Sequence, residues 1–279
     1  VGERRKVTIL DLQGMKEQGR RITMLTAFDY SLATLIDEAG IDMVLVGDSL
    51  AMVALGYEST VPVTIDEMLH HCKAVRRGVR AAFLVADLPF MSYNVSRKLA
   101  IGNAGRFMKE ALVDAVKLEG GTEMAATIEA VTSAGIPVLG HIGLTPQTIS
   151  KLSGYRLQGK DAASARALID SALAVEEAGA FALVLECVPM ELAAMITERL
   201  SVPTIGIGAG PRCDGQVLVT HDLLGLYPKP PRFAKTYARL GEEAGRAIAA
   251  FKREVEEEKF PDREHYHSMD AKELEKLKR

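Results

Sequence analysis

Short, nearly continuous apolar runs alternate along the chain with stretches whose apolar residues recur at helical spacing. The runs Thr23–Asp29, Met43–Asp48, Phe83–Asp87, Ala115–Glu119, Pro137–Gly143, Phe181–Glu186 and Pro203–Gly208 read as strands buried on both faces, as in a parallel sheet covered by helices. Between them, Leu32, Leu35, Ile36 and Ala39 share one helical face, as do Leu192, Met195 and Ile196. Three joints repeat one another: Glu38-Ala39-Gly40-Ile41, Ser133-Ala134-Gly135-Ile136 and Glu177-Ala178-Gly179-Ala180. Each puts glycine where a helix stops in the left-handed conformation before a strand begins. A weaker eighth strand is expected near Gln216–Val219 and a helix over Phe233–Glu258, with a short helix over Asp11–Gln18 ahead of the first strand. The pattern predicts an α/β protein, a (β/α)8 TIM barrel, with a doubly wound open sheet as the alternative. The barrel domain is expected over residues 1–260 and a charged C-terminal tail over 261–279, where Asp270 and Glu273 are placed to cap a short last helix.

Length agrees, since 279 residues accommodate one barrel of ~250. With 48% hydrophobic and 25% charged residues the composition is that of a globular protein. A net charge of −3 gives no reason to expect nucleic acid or an anionic membrane as partner. Cys72, Cys187 and Cys213 have no metal-binding spacing and are odd in number, which points to a reducing, cytoplasmic setting. No apolar run is long enough for a transmembrane helix. None follows the charged Val1–Lys6 segment either, so no secretory signal is expected, and the opening Val1 is what a trimmed end would show.

The polar residues that finish the strands carry the chemistry. Asp29, Asp48, Asp87, Glu119, His141 and Glu186 end apolar runs, and in a parallel barrel those ends converge on one face. Asp48, Asp87 and Glu119 are the metal candidates, because hard oxygen donors without cysteine or paired histidine favour Mg2+ over Zn2+. Salt bridges to Lys117 or Arg106, or contacts to helix N-termini, are the alternative use of these carboxylates. Lys117 and Glu119 alternate along one strand and so face the same way. His141 lies between Gly140 and Gly143, which would leave room for a ligand beside its ring. Glu186 follows Leu183-Val184-Leu185, a setting that suits a general base, whereas Cys187 is expected to point away and pack. Gly206-Ile207-Gly208-Ala209-Gly210 is a weak anion-binding signal and lacks the context of a dinucleotide site.

From about Lys6 to Pro261 the chain resembles the ketopantoate hydroxymethyltransferase family. The resemblance rests on Thr26-Ala27-Phe28-Asp29-Tyr30, Val46-Gly47-Asp48-Ser49, Val85-Ala86-Asp87-Leu88-Pro89-Phe90 and Val116-Lys117-Leu118-Glu119-Gly120-Gly121. It continues through Gly140-His141-Ile142-Gly143-Leu144-Thr145-Pro146-Gln147, Glu186-Cys187-Val188-Pro189, Gly206–Gly210 and Cys213–Val219. It implies hydroxymethyl transfer from 5,10-methylenetetrahydrofolate to 3-methyl-2-oxobutanoate, giving 2-dehydropantoate and tetrahydrofolate on the way to pantothenate. It also implies Mg2+ at Asp48, Asp87 and Glu119, contacts to the oxo acid from Asp48, Ser49, Asp87 and Lys117, Glu186 as proton acceptor, and His141 in the pocket lining. A homo-oligomer, a decamer in this family, is the implied assembly. Loops 57–63 and 93–97 are placed to close the barrel mouth. A Mg2+-dependent lyase or mutase of another 2-oxo acid, and a non-catalytic barrel subunit, are the competing readings.

Overall fold

In the computed structural model, which describes residues 4–152, 154 and 156–278, eight parallel strands form a closed barrel in chain order. The strands are β1 (Ile22–Thr26), β2 (Met43–Val46), β3 (Phe83–Asp87), β4 (Ala115–Glu119), β5 (Val138–Gly143), β6 (Ala182–Glu186), β7 (Thr204–Ile207) and β8 (Gly215–Leu218). β8 pairs with β1, aligning Ile22 with Gly215, so the open-sheet alternative is set aside. Of the Val1–Lys6 segment, only Arg4, Arg5 and Lys6 are among the described residues. Among the described residues no helix is long and apolar enough to cross a membrane.

Two apolar layers follow from the two-residue period of the strands. Met24, Met43, Phe83, Val85, Ala115, Leu139, Val184 and Val217 fill the barrel. Residues of the opposite phase, such as Val44, Leu84, Ala86, Val116, Leu118 and Leu183, pack outward against the surrounding helices. Gly40, Gly135 and Gly179 take φ of 83°, 85° and 90°, so the three repeated joints are left-handed helix ends. Helix starts are capped by side chains, as at Thr64 with Glu67 and at Asp161 with Ser164.

Element ends differ from the sequence expectation where a side chain finds another use. β1 stops at Thr26 because Asp29 Oδ1 accepts the Leu32 N–H and caps the helix Tyr30–Glu38, so Asp29 turns away from the other strand-end acids. The first helix spans Ile9–Glu17 with Thr8 as its cap. The long last helix begins at Leu240 rather than Phe233. Before it, Tyr237 N–H and Leu240 N–H donate to the carbonyls of Leu223 and Leu224, which ties residues 233–239 to the helix Thr220–Leu223. The helix Leu240–Glu256 has no buried residue. Beyond it Phe260 packs edge-on to Phe251, and Asp270 caps the helix Ala271–Leu277 through the N–H groups of Lys272 and Glu273.

Candidate active site

Strand phase decides what reaches the barrel mouth. Asp87 continues the inward series of Phe83 and Val85, Lys117 and Glu119 that of Ala115, His141 that of Leu139, and Glu186 that of Ala182 and Val184. These five side chains, together with Asp48 and Ser49 just past β2, line one cavity of about 1020 Å3. All seven site residues expected from the sequence therefore share it, whereas Arg106 pairs with Asp66 and Glu110 on the outside.

Within the cavity the polar atoms form one network. Lys117 Nζ lies 3.0 Å from Asp87 Oδ1, 4.0 Å from Glu119 Oε1 and 3.2 Å from His141 Nδ1. Asp87 Oδ2 accepts the Asp48 N–H at 2.9 Å, while Oδ1 is buried and has only the Coulomb attraction of Lys117. His141 stands between two carboxylates, with Nδ1 3.3 Å from Glu119 Oε1 and Nε2 3.3 Å from Glu186 Oε2. Burial, reinforced by the charges of Asp87 and Glu119, pushes Asp48 well above the usual carboxylate range. Burial also raises Asp87, against the pull of Lys117. Burial would lower Lys117, but Asp87, Glu119 and Asp48 outweigh it and keep the lysine a cation. Glu119 is depressed despite burial by His141 and Lys117, and His141 is raised to about 9 because Glu119 and Glu186 outweigh burial and Lys117.

Gln147 and Tyr93 brace the acids through hydrogen bonds that no sequence pattern foretold. Gln147 Nε2 donates to Asp48 Oδ2 and to the Leu88 carbonyl, both at 2.9 Å, and its N–H donates to Glu119 Oε2 at 3.1 Å. Tyr93 Oη donates to Gln147 Oε1 at 2.6 Å and accepts the Glu119 N–H at 3.2 Å. Tyr93 is itself buried, beneath the acids rather than on the cavity surface. The only sequence sign of Gln147 is a polar residue after Pro146 at the end of a conspicuous motif.

Several local expectations are corrected. A Cβ on Gly140 would stand 2.4 Å from Val175 Cγ1, and one on Gly143 2.2 Å from the Glu186 carbonyl, so these glycines serve close packing rather than ligand room. Gly208 and Gly210 make space for Phe233 and Met190. Cys187 has a φ of 48° and lines the cavity instead of pointing away. Burial and the neighbouring Glu186 push its thiol up to about 12, so it stays protonated.

A carboxylate-rich pocket on the C-terminal strand ends defines a barrel enzyme. The family model described as ketopantoate hydroxymethyltransferase matches residues 6–263, and the chain belongs to that family. It is 58% identical to a 3-methyl-2-oxobutanoate hydroxymethyltransferase of Moorella thermoacetica over 95% of this chain and 99% of the relative. It is 55% identical to that of Heliobacterium modesticaldum over 95% of this chain and 97% of the relative. Its fold also resembles phosphonopyruvate hydrolase in complex with oxalate and Mg2+, with a TM-score of 0.62 and 14% identity over 98% of this chain and 95% of that one.

Proposed function

We propose that this chain transfers a hydroxymethyl group to 3-methyl-2-oxobutanoate, with 5,10-methylenetetrahydrofolate as donor and Mg2+ as the resident cation. The observation that carries the reading is the convergence of Asp48, Asp87, Glu119, Lys117, His141 and Glu186 in a chain more than half identical to its relatives of that name. Mg2+ suits the donor set. Among the described residues no group of three His, Cys, Asp or Glu stands ready as a closed metal cage. Mg2+ is commonly held by one or two carboxylates and keeps its other positions for water and substrate. Asp48 and Asp87 each keep an oxygen free of hydrogen bonds, and Asp48 is raised by burial and then by the like charges of Asp87 and Glu119, which a divalent cation would relieve. Glu119, tied to His141 and Gln147, belongs beside these two as third or outer ligand. When bound, the cation supplies stabilisation of an enolate charge on the oxo acid.

The residues divide the remaining work. Lys117, held cationic, and Ser49 take the substrate carboxylate and turn its branched carbon toward β6. Glu186 receives the proton of that carbon, and His141 at 3.3 Å keeps the carboxylate aimed. Both methylene–nitrogen bonds of the donor break as water adds to its methylene carbon, which releases the one-carbon unit as formaldehyde and leaves the two nitrogens protonated in tetrahydrofolate. The enolate carbon then adds to the formaldehyde carbon, and the new alkoxide takes back the proton held by Glu186.

Proton NMR tests the order of events. With Mg2+ and no folate, the protein should exchange the C3 proton of 3-methyl-2-oxobutanoate for deuterium, and 2-dehydropantoate should form only when methylenetetrahydrofolate is added. Glu186→Gln should slow the exchange by ~10²–10⁴-fold, the usual contribution of a general base. Near-normal exchange in Glu186→Gln would transfer the role to His141, and turnover of another 2-oxo acid without folate would favour a lyase.

A further inference from the structure

The cavity is larger than the oxo acid alone requires. A branched 2-oxo acid fills only a fraction of about 1020 Å3, and drug-sized ligands occupy pockets of ~300–1,000 Å3. The acidic cluster takes the β2–β4 side and Glu186 the end of β6. The wall that is left belongs to β7, β8 and the segments after them, and includes Val219, Asp222, Tyr227 and Phe233. Asp222 is the acidic group of that wall. It is 5% exposed, its Oδ1 is fully buried, and its side chain enters no hydrogen bond or ion pair among the described residues. Buried polar groups are almost always satisfied, so a carboxyl in this condition on a cavity wall calls for a ligand partner. Burial raises it to about 6, which still leaves it mostly ionised at neutral pH. The mechanism gives it no task.

We infer that Asp222 anchors the pterin of the folate donor by accepting hydrogen bonds from its N3–H and 2-amino groups. The inference rests on the folate-donor reading. Those two donors lie side by side on the ring edge and match the two oxygens of one carboxylate, as a guanidinium does. The ring is flat and largely apolar on its faces, and Val219, Tyr227 and Phe233 offer such surface on the same side of the cavity. The donor's carboxylate tail has its match as well. Arg156, Lys229 and Arg232 line the rim, are exposed, and form no ion pair among the described residues. The donor therefore lies across β7 and β8 with its ring edge on Asp222 and its tail toward solvent. Its one-carbon unit is then presented to the oxo acid held over β2–β4.

Calorimetric titration in the presence of Mg2+ and the oxo acid tests this, with tetrahydrofolate and its 2-desamino-2-methyl analogue as the two probes. Wild type should bind tetrahydrofolate ~10–100-fold more tightly than the analogue, the range expected for charge-assisted hydrogen bonds. Asp222→Asn should lose a similar factor toward tetrahydrofolate and no longer separate the two probes. Its KM for methylenetetrahydrofolate should rise without a matching rise for the oxo acid, and Asp222→Ala should behave likewise. Equal binding of tetrahydrofolate by wild type and Asp222→Asn, or a wild type indifferent to the 2-amino group, would overturn the inference while turnover of the folate donor upheld the broader reading. A wild type that takes no one-carbon unit from methylenetetrahydrofolate would overturn both.

Discussion

A carboxyl raised to about 6 from an ordinary 3.8, as Asp222 is by burial, weakens the fold in a defined pH window. Below pH 3.8 the group is protonated in both folded and unfolded chains and has no effect. As pH rises from there to about 6 the unfolded chain gives up the proton more readily, and above 6 the full penalty stands. Asp222→Asn removes the ionisation, so the variant should be more stable than wild type by about 1–3 kcal/mol at pH 8, with the gain gone near pH 4. Urea unfolding at the two pH values reads this, and equal stability at pH 8 would show that the carboxylate is solvated. Asp87, Glu119 and Glu186 were legible because each ends an apolar run with the inward phase of its strand, as Asp87 does after Phe83 and Val85, whereas Asp48 has the outward phase of Val44 and Val46 and reaches the cavity past the end of β2. Asp222 was not, because its burial depends on a distant contact: Thr220 N–H donates to Thr26 Oγ1, and Thr220 Oγ1 to the Thr26 carbonyl, across the β8–β1 closure. Gln147 and Tyr93 were silent for the same reason, since each acts only through residues brought in from other strands.

At the level of strands and turns, the end of β5 and the end of β6 fit through a glycine. Gly143 has a φ of 97°, is aligned with Glu186, and passes so near that a methyl group would strike the Glu186 carbonyl. Gly143→Ala should lose about 1–3 kcal/mol from backbone strain alone, and more from the contact. It should also lower kcat more than it raises the KM of the oxo acid, because the displaced residue is the proposed base. Steady-state kinetics with a thermal melt would check both, and unchanged kcat would separate the Glu186 side chain from its backbone. Strand cores and left-handed helix ends were readable because local periodicity and glycine placement determine them. The start of the last helix was not, since Tyr237 and Leu240 donate their N–H groups to the distant carbonyls of Leu223 and Leu224.

For the molecule as a whole, the unusual feature is the helix Leu240–Glu256. In a (β/α)8 barrel the helix after β8 would ordinarily cover β8, yet here every residue of it is solvent-accessible, with Ile248 at 68% and Phe251 at 56%. An apolar stripe of this kind on a long amphipathic helix needs cover. We propose that a second copy of the chain supplies it, which agrees with the homo-oligomer, a decamer, implied by the family resemblance, and that residues 261–278 travel with the helix through the Phe251–Phe260 contact. Sedimentation should find an oligomer, and the pair Ile248→Glu and Phe251→Glu should shift it toward monomer; a wild-type monomer would refute the proposal. Mass action then links assembly to durability. If part of each subunit's apolar surface is covered only by a neighbour, dilution removes that cover, and the melting temperature should fall with every decade of protein concentration.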